Sequence, residues 1–306
     1  MAAKLNNEPL VSVIITSYNY GGLIADAIDS VLGQAYRNIE LIVVDDGSTD
    51  GSLEIIRDYA AKHGNISCYT HPGHENRGLA ASLELAVAKV RGEITAFLES
   101  DDRWLPDNLS EKVSLLTADS ATSAVFSSLE LTGESVSGKY TDYVLFLEWA
   151  GRKLNRTSAK QYRQVLLRNP AATFSNIVIR TDILKTLAFG SMFEKWLDWQ
   201  VIIAASLAGN VRYVERKLLQ WRIHSRSLHY RHMKDNTAEG LSVQKTAFLA
   251  NLRSVFNEDA GKSVNKEVAD FIGSRNMKTA EAMFNLGFAL YHPLVAVRKL
   301  LSHYKY

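Results

Sequence analysis

A single cysteine in 306 residues leaves no partner for an intrachain disulfide and excludes a zinc site built on thiolates. That usage suits a reducing compartment, and Cys68 is expected in a buried strand. Long apolar runs are missing as well. No stretch reaches the ~18 apolar residues of a membrane-spanning helix, and the short polar start, Met1 to Pro9, lacks the apolar core of a signal peptide. The expected location is the cytoplasm, with peripheral contact at the inner face of the cell membrane left open. Charge of one sign is also scarce: 35 Lys and Arg against 33 Asp and Glu give a formal net charge of +2. That global field argues against a nucleic-acid partner. A composition 46% hydrophobic and 22% charged excludes disorder and supplies a core for one large domain, or for a domain with a helical appendage.

What is present is an alternation of strands and helices. Val11 to Thr16 is a β-rich apolar run, followed by turn residues Ser17 to Gly22 and by helical spacing from Leu23 to Leu32. Ile39 to Val44 repeats the strand, with Ser48, Thr49 and Asp50 as cap residues for the next helix. Ile66 to Thr70 is a weaker third strand, a helix follows from Leu79 to Val90 with Arg91 and Gly92 as its stop, and Ile94 to Leu98 is the fourth strand. Three such units imply a parallel sheet with right-handed crossovers, so their strand ends share one edge.

Beyond Leu105 the pattern predicts a helix from Pro106, a strand near Ala124 to Ser127 and an irregular polar stretch from Thr132 to Thr141. A strand at Phe174 to Ile179 and a helix from Phe193 to Gly209 follow, and then Val211 to Val214 leading into Leu219 to His224. Residues 235–306 show helical periodicity. The last thirteen, Leu294 to Tyr306, carry three Lys or Arg and no acid, as an interfacial helix or a helix packed on its own domain or on a second subunit would.

Two acidic clusters stand at the carboxyl ends of apolar strands: Asp45 and Asp46 after the second, and Glu99, Ser100, Asp101 and Asp102 after the fourth. Ligands of open α/β sheets bind at that edge. Each cluster alone could simply cap the following helix, but two facing one crevice repel unless a cation lies between them. A divalent ion carrying a phosphorylated ligand, Mg2+ or Mn2+ with a nucleoside diphosphate, meets that need. A carboxylate such as Asp46 accepts from the N3–H of uracil or thymine, where cytosine presents an acceptor, so a uridine or thymidine diphosphate is favoured.

Residues from about Pro9 to His224 resemble a family 2 glycosyltransferase of the GT-A fold. The likeness rests on Val11 to Asn19, on Val43 to Asp50, on Asn76-Arg77-Gly78-Leu79, and on Glu99-Ser100-Asp101-Asp102 in the metal-binding place. It implies an α/β, Rossmann-like fold with a mixed, mainly parallel sheet flanked by helices and a C-terminal helical extension. The expected division is a tail over 1–9, a GT-A domain over 10–227 and helices over 228–306.

Carried over by position, the resemblance implies that Thr16, Tyr18, Asn19 and Asp46 hold the nucleoside and that Arg77 lies near the diphosphate. Glu99, Ser100 and Asp101 are placed against the donor, and Asp101, Asp102 and His224 at the metal. Glu99 stands where the family usually has Asp. The implied catalytic base is Asp198, twelve positions from Gly209 counted inclusively, with Leu197 and Ala204 replacing the usual Glu and Arg. Arg222-Ile223-His224 resembles the family's Arg-x-His segment.

The implied activity is inverting transfer from a nucleoside-diphosphate sugar, UDP favoured and dTDP allowed, to a hydroxyl of a saccharide, glycolipid or glycoprotein in bacterial surface glycan assembly. The departures at 99, 197 and 204 keep a second reading open, a non-catalytic nucleotide-sugar-binding subunit. The tail keeps open a third, an assembly or membrane-recruitment component that forms homo-oligomers.

Overall fold

The computed structural model describes residues 8–134, 136, 138–157, 160–189 and 196–227. The extension over 228–306, including the helix expected at Leu294 to Tyr306, lies outside the described residues, as do Phe193 to Lys195 and nearly all of the expected tail.

Strand β1 (Val11–Ser17) is buried along almost its whole length, as a continuous apolar run in the middle of a parallel sheet must be. It is followed by α1 (Ile24–Leu32), β2 (Ile39–Asp45), α2 (Ser52–Lys62), β3 (Ile66–Thr70), α3 (Gly78–Val87) and β4 (Ile94–Glu99). β1 lies between β2 and β4, and β2 between β1 and β3, all parallel. The register sets Thr16 beside Val44 on one side and Glu99 on the other. Both acidic turns therefore leave the same edge.

The second half comprises β5 (Arg103–Trp104), α4 (Asn108–Ala118), β6 (Thr122–Thr132), α5 (Gly138–Asn155), α6 (Tyr162–Leu167), β7 (Val178–Arg180), α7 (Thr181–Leu184), α8 (Leu197–Ala208) and β8 (Asn210–Arg222). The sheet order is β3-β2-β1-β4-β7-β6-β8-β5. β7 runs antiparallel to β4 and to β6, whereas β6 and β8 are parallel. Helix α8 is apolar on all sides, so it sits inside, packed on α6, α7, β6 and β8.

Four expectations are corrected. Phe174 to Ile179 is not one strand: Phe174–Asn176 is a 3-10 turn, because the Thr173 hydroxyl accepts from the Ser175 N–H, and only β7 is extended. The polar stretch Thr132 to Thr141 yields to α5 from Gly138 onward. Val211 to His224 is mostly one thirteen-residue strand, β8, rather than two pieces. Helix α3 ends at Val87, and Gly92 is no cap. A Cβ there would sit 2.4 Å from the Leu10 carbonyl oxygen and 2.8 Å from the Ser12 nitrogen, so glycine lets the chain lie against β1.

Candidate active site

The loops after β1 and β2 are stapled together. Asn19 adopts a left-handed conformation (φ 59°); its N–H donates to Ser48 Oγ at 2.9 Å, and its Oδ1 accepts from the Thr49 N–H at 2.8 Å. Asn tolerates this backbone better than most residues. Tyr18 next to it is 47% exposed, leaving its ring at the surface of the edge. Thr16, half-buried at the end of β1, sits between the two acidic strands.

Asp46 is buried, and its two carboxylate oxygens accept from the N–H groups of Arg77 and Gly78 at 2.8 and 2.9 Å. The acid expected to meet a base thus also fixes the start of α3. Gly47 (φ 79°) allows the approach, since a Cβ there would lie 2.7 Å from the Asn76 nitrogen. The Arg77 guanidinium is on the exposed side of the loop, 3.3 Å from Glu75, and among the described residues no ion pair joins it to the second acid cluster. Two histidines unflagged by the sequence complete this corner. His74 Nε2 lies 2.9 Å from Asp45 Oδ1, and His71 Nε2 lies 3.0 Å from Ser82 Oγ and 3.5 Å from Asp46.

At the end of β4, Glu99 accepts from the Thr173 hydroxyl. Its carboxyl is raised to about 8 by burial first, then by the charge of Asp101 against the Thr173 hydrogen bond, with Asp198 adding to the rise. Ser100 is buried. Asp101 Oδ2 lies 3.0 Å from His224 Nε2, and the His224 ring meets Tyr20 edge-on at 5.7 Å. Asp102 faces inward: it accepts from Ser175 Oγ at 2.5 Å and from the Arg222 N–H at 2.9 Å. Burial and the charges of Asp101 and Glu99 hold its carboxyl well above the usual range. The Arg222 guanidinium turns to Asp26 at 3.2 Å, tying the end of β8 to α1.

Asp198 enters from the first turn of α8. Its Oδ1 accepts from the Trp199 N–H at 2.7 Å and its Oδ2 from Asn169 Nδ2 at 2.8 Å. Burial pushes the carboxyl up to about 7 against both hydrogen bonds. Asn169 donates to Asp198, and Thr173, four residues on, donates to Glu99, so one short segment links Asp198 to the end of β4; the charge of Asp198 adds to the rise at Glu99. Leu197 and Ala204 are buried among apolar neighbours, so packing replaces the usual charges there.

Among the described residues, no group of three or more His, Cys, Asp or Glu side chains is arranged to hold a metal ion alone. Asp101 and His224 nevertheless offer a carboxylate and an imidazole side by side, in a cluster whose neighbouring acids repel. A divalent ion completed by diphosphate oxygens and water needs few protein ligands. The pair fits that role. Asp102 has its two oxygens engaged by Ser175 and the Arg222 N–H.

The sequence did not single out Asn169, Thr173, Ser175 or Lys112. Lys112 is wholly buried and donates to the Asn176 carbonyl and side-chain oxygens at 2.9 and 3.1 Å. Nothing local marks these residues; the partners through which they act on the acids, or for Lys112 on Asn176, lie 29 to 76 positions away.

Residues 12–188 match the family model described as Glycosyl transferase family 2. An uncharacterized glycosyltransferase of Haemophilus influenzae is 31% identical over 185 residues, 58% of this chain and 73% of that protein. The putative teichuronic acid biosynthesis glycosyltransferase TuaG of Bacillus subtilis is 39% identical over 111 residues, 36% of this chain and 43% of TuaG, so that match spans under half of the relative. Among solved structures, mannosyltransferase PcManGT from Pyrobaculum calidifontis, in complex with GDP-Man and Mn2+, superposes with a TM-score of 0.56 at 20% identity, covering 98% of this chain and 82% of that one. Staphylococcus aureus TarS 1–349 in complex with UDP gives 0.54 at 18% identity, covering 87% and 73%. These likenesses bear on the fold. With the family pattern running from β1 through α7, and with the acidic turns of β2 and β4 both inside it, the chain belongs to glycosyl transferase family 2.

Proposed function

We propose that this chain is an inverting glycosyltransferase that moves a sugar from a nucleoside-diphosphate sugar, UDP favoured and dTDP allowed, to a hydroxyl of a saccharide, glycolipid or glycoprotein. The observation that carries the reading is the Asp198 carboxylate at the first turn of α8, held by the Trp199 N–H and by Asn169 on the segment that also reaches Glu99, with burial shifting it towards neutral pH. A base poised near the working pH is what proton removal from a hydroxyl requires.

Asp198 accepts the proton of the acceptor hydroxyl. The hydroxyl oxygen forms a bond to the anomeric carbon as the bond from that carbon to the diphosphate oxygen breaks, and the electron pair leaves with the diphosphate. One displacement inverts the anomeric configuration. Thr16, Tyr18, Asn19 and Asp46 line the nucleoside side, Arg77 the diphosphate, and Glu99 and Ser100 the donor beside them. Asp101 and His224 would hold Mg2+ or Mn2+, which neutralises the departing diphosphate. Asp102 is assigned to the scaffold instead of the metal. The likeness to TuaG, to TarS with UDP and to PcManGT with GDP-Man and Mn2+ is consistent with a nucleotide-sugar donor, a divalent ion and a place in bacterial surface polysaccharide assembly.

The test is nucleotide binding and donor hydrolysis across UDP-, dTDP- and GDP-sugars, with Mg2+ or Mn2+ and with chelator. Metal-dependent binding of a uridine or thymidine donor with slow diphosphate release supports the reading. A chain that binds none of them is not this enzyme, and preference for a guanosine donor would overturn the base assignment alone.

A further inference from the structure

The strip from Asn169 to Asn176 touches three acids of the site, Asp198, Glu99 and Asp102. Asn169 donates to Asp198, Thr173 to Glu99, and Ser175 to Asp102, while the Glu99 N–H donates to Ser175 Oγ. Its far end is fixed in the core. Asn176 Nδ2 donates to the carbonyls of Ser127 and Ala171, and Asn176 Oδ1 accepts from the Ser127 N–H and hydroxyl and from Lys112. Between them Ala172 is held at φ 73°, a conformation an alanine keeps only where its surroundings impose it.

The amide of Asn169 has one orientation that fits. Its Oδ1 accepts from the Ala171 N–H at 3.0 Å, which leaves Nδ2, a donor only, against Asp198 Oδ2. A neutral donor favours the carboxylate over the carboxylic acid without the large drop in basicity that an Arg or Lys would cause. We propose that Asn169 is a positioning residue for Asp198: locked by Ala171, its amide holds one carboxylate oxygen, fixes the side chain's rotation and favours its ionised form. The inference rests on Asp198 being the base, and the geometry of the strip gives it content of its own.

Other titratable and charged groups sense the same place. Glu99 at the end of β4 and Tyr143 on α5 both feel the charge of Asp198, and Arg168, just after α6, acts on Tyr143. All three remain when Asn169 is changed, so a shift on changing it is assigned to the amide.

The first measurement needs no donor. Carbon-13 labelled aspartate carboxyl resonances are titrated in the full chain, with Asp198→Asn identifying the Asp198 signal. In Asn169→Ala the midpoint moves up by about one pH unit, the scale of one hydrogen bond to a charged group. Asn169→Asp, nearly isosteric and still able to accept from Ala171, moves it up further and serves if the alanine variant does not fold. An unmoved midpoint in a folded variant overturns the inference. The second is UDP release from UDP-glucose and UDP-N-acetylglucosamine against pH. There kcat at pH 7 falls roughly 10- to 100-fold in Asn169→Ala, its rising limb shifts to higher pH, and the donor KM stays put. A parallel loss of kcat, donor affinity and Tm would mean a structural role and also overturns it. If Asp198→Asn itself keeps full turnover, the base reading fails, whereas a turnover lost in Asp198→Asn but unchanged in Asn169→Ala sinks only the positioning role.

Discussion

Lys112, on α4, gives its buried ammonium to Asn176, 64 residues away, at 2.9 Å to the carbonyl and 3.1 Å to the side-chain oxygen. Burial lowers its pKa to about 7, so between pH 7 and the ordinary value of 10.5 the folded chain holds this amine neutral while the unfolded chain keeps it charged. The unfolded state then binds more protons, and this contribution to stability rises with pH across that window and is lost on going down through pH 7. Lys112→Met leaves the Asn176 carbonyl without that donor, a cost of about 1–3 kcal/mol, set against relief of a buried charge. The variant is therefore expected to be close to wild type near pH 7 and less stable at pH 9 to 10. Urea midpoints at the two pH values measure it.

Asp198 has the opposite sign. Its folded value near 7 exceeds the ordinary 3.8, so between those pH values the folded chain retains a proton that the unfolded chain has released. That stabilising contribution is whole below about pH 4 and declines as pH rises to 7. Asp198→Asn removes this decline while lowering turnover about 10²- to 10⁴-fold, with nucleotide binding kept. Thermal melts from pH 5 to 8 beside a transfer assay check both halves. Wild-type turnover in the variant would exclude Asp198 as the base.

His224→Ala and Asp102→Ala are expected to separate. The first removes a group proposed to hold the divalent ion, so the metal concentration for half-maximal activity rises while Tm changes little. The second deletes an acid that receives Ser175 and the Arg222 N–H inside the protein, so stability drops by about 1–3 kcal/mol. Mn2+ titrations and melting curves on both variants decide the matter; equal metal defects would put Asp102 back at the ion.

Gly47→Ala strains a backbone at φ 79° and drives a methyl to within 2.7 Å of the Asn76 nitrogen. A loss of about 1–3 kcal/mol is expected, together with weaker nucleotide binding, because the displaced loop carries the N–H groups that Asp46 holds. Calorimetric titration with UDP would show an unchanged affinity if that loop were remote from the nucleotide.

The first ninety or so residues of the fold were legible because each strand is a short apolar run with its acid or turn residue at the carboxyl end, a signal that needs only neighbours in the chain. Thr16, Asp46 and Glu99 were placed at one edge for that reason. The 3-10 turn at Phe174 was not, since Phe174 and Ile177 are as apolar as any strand and the deciding interaction is one Thr173 hydroxyl. Helix α5 begins in a polar stretch with glycine at its first position, which resembles a loop until the packing against β6 and β8 is known. Asn169, Ser175 and Lys112 act through partners that sequence spacing does not bring together. The departures at Leu197 and Ala204 become intelligible only when both are found in the core.

The reversal of strand direction at β7 divides the site by origin. The proposed nucleoside corner comes from one unbroken parallel block, residues 11–99, whereas Asp198 and His224 arrive on elements anchored to β6 and β8 beyond the reversal. Under the proposed roles, substitutions after β7 reach the base and the ion-holding histidine without crossing the parallel block, so the two halves of the site can be altered separately.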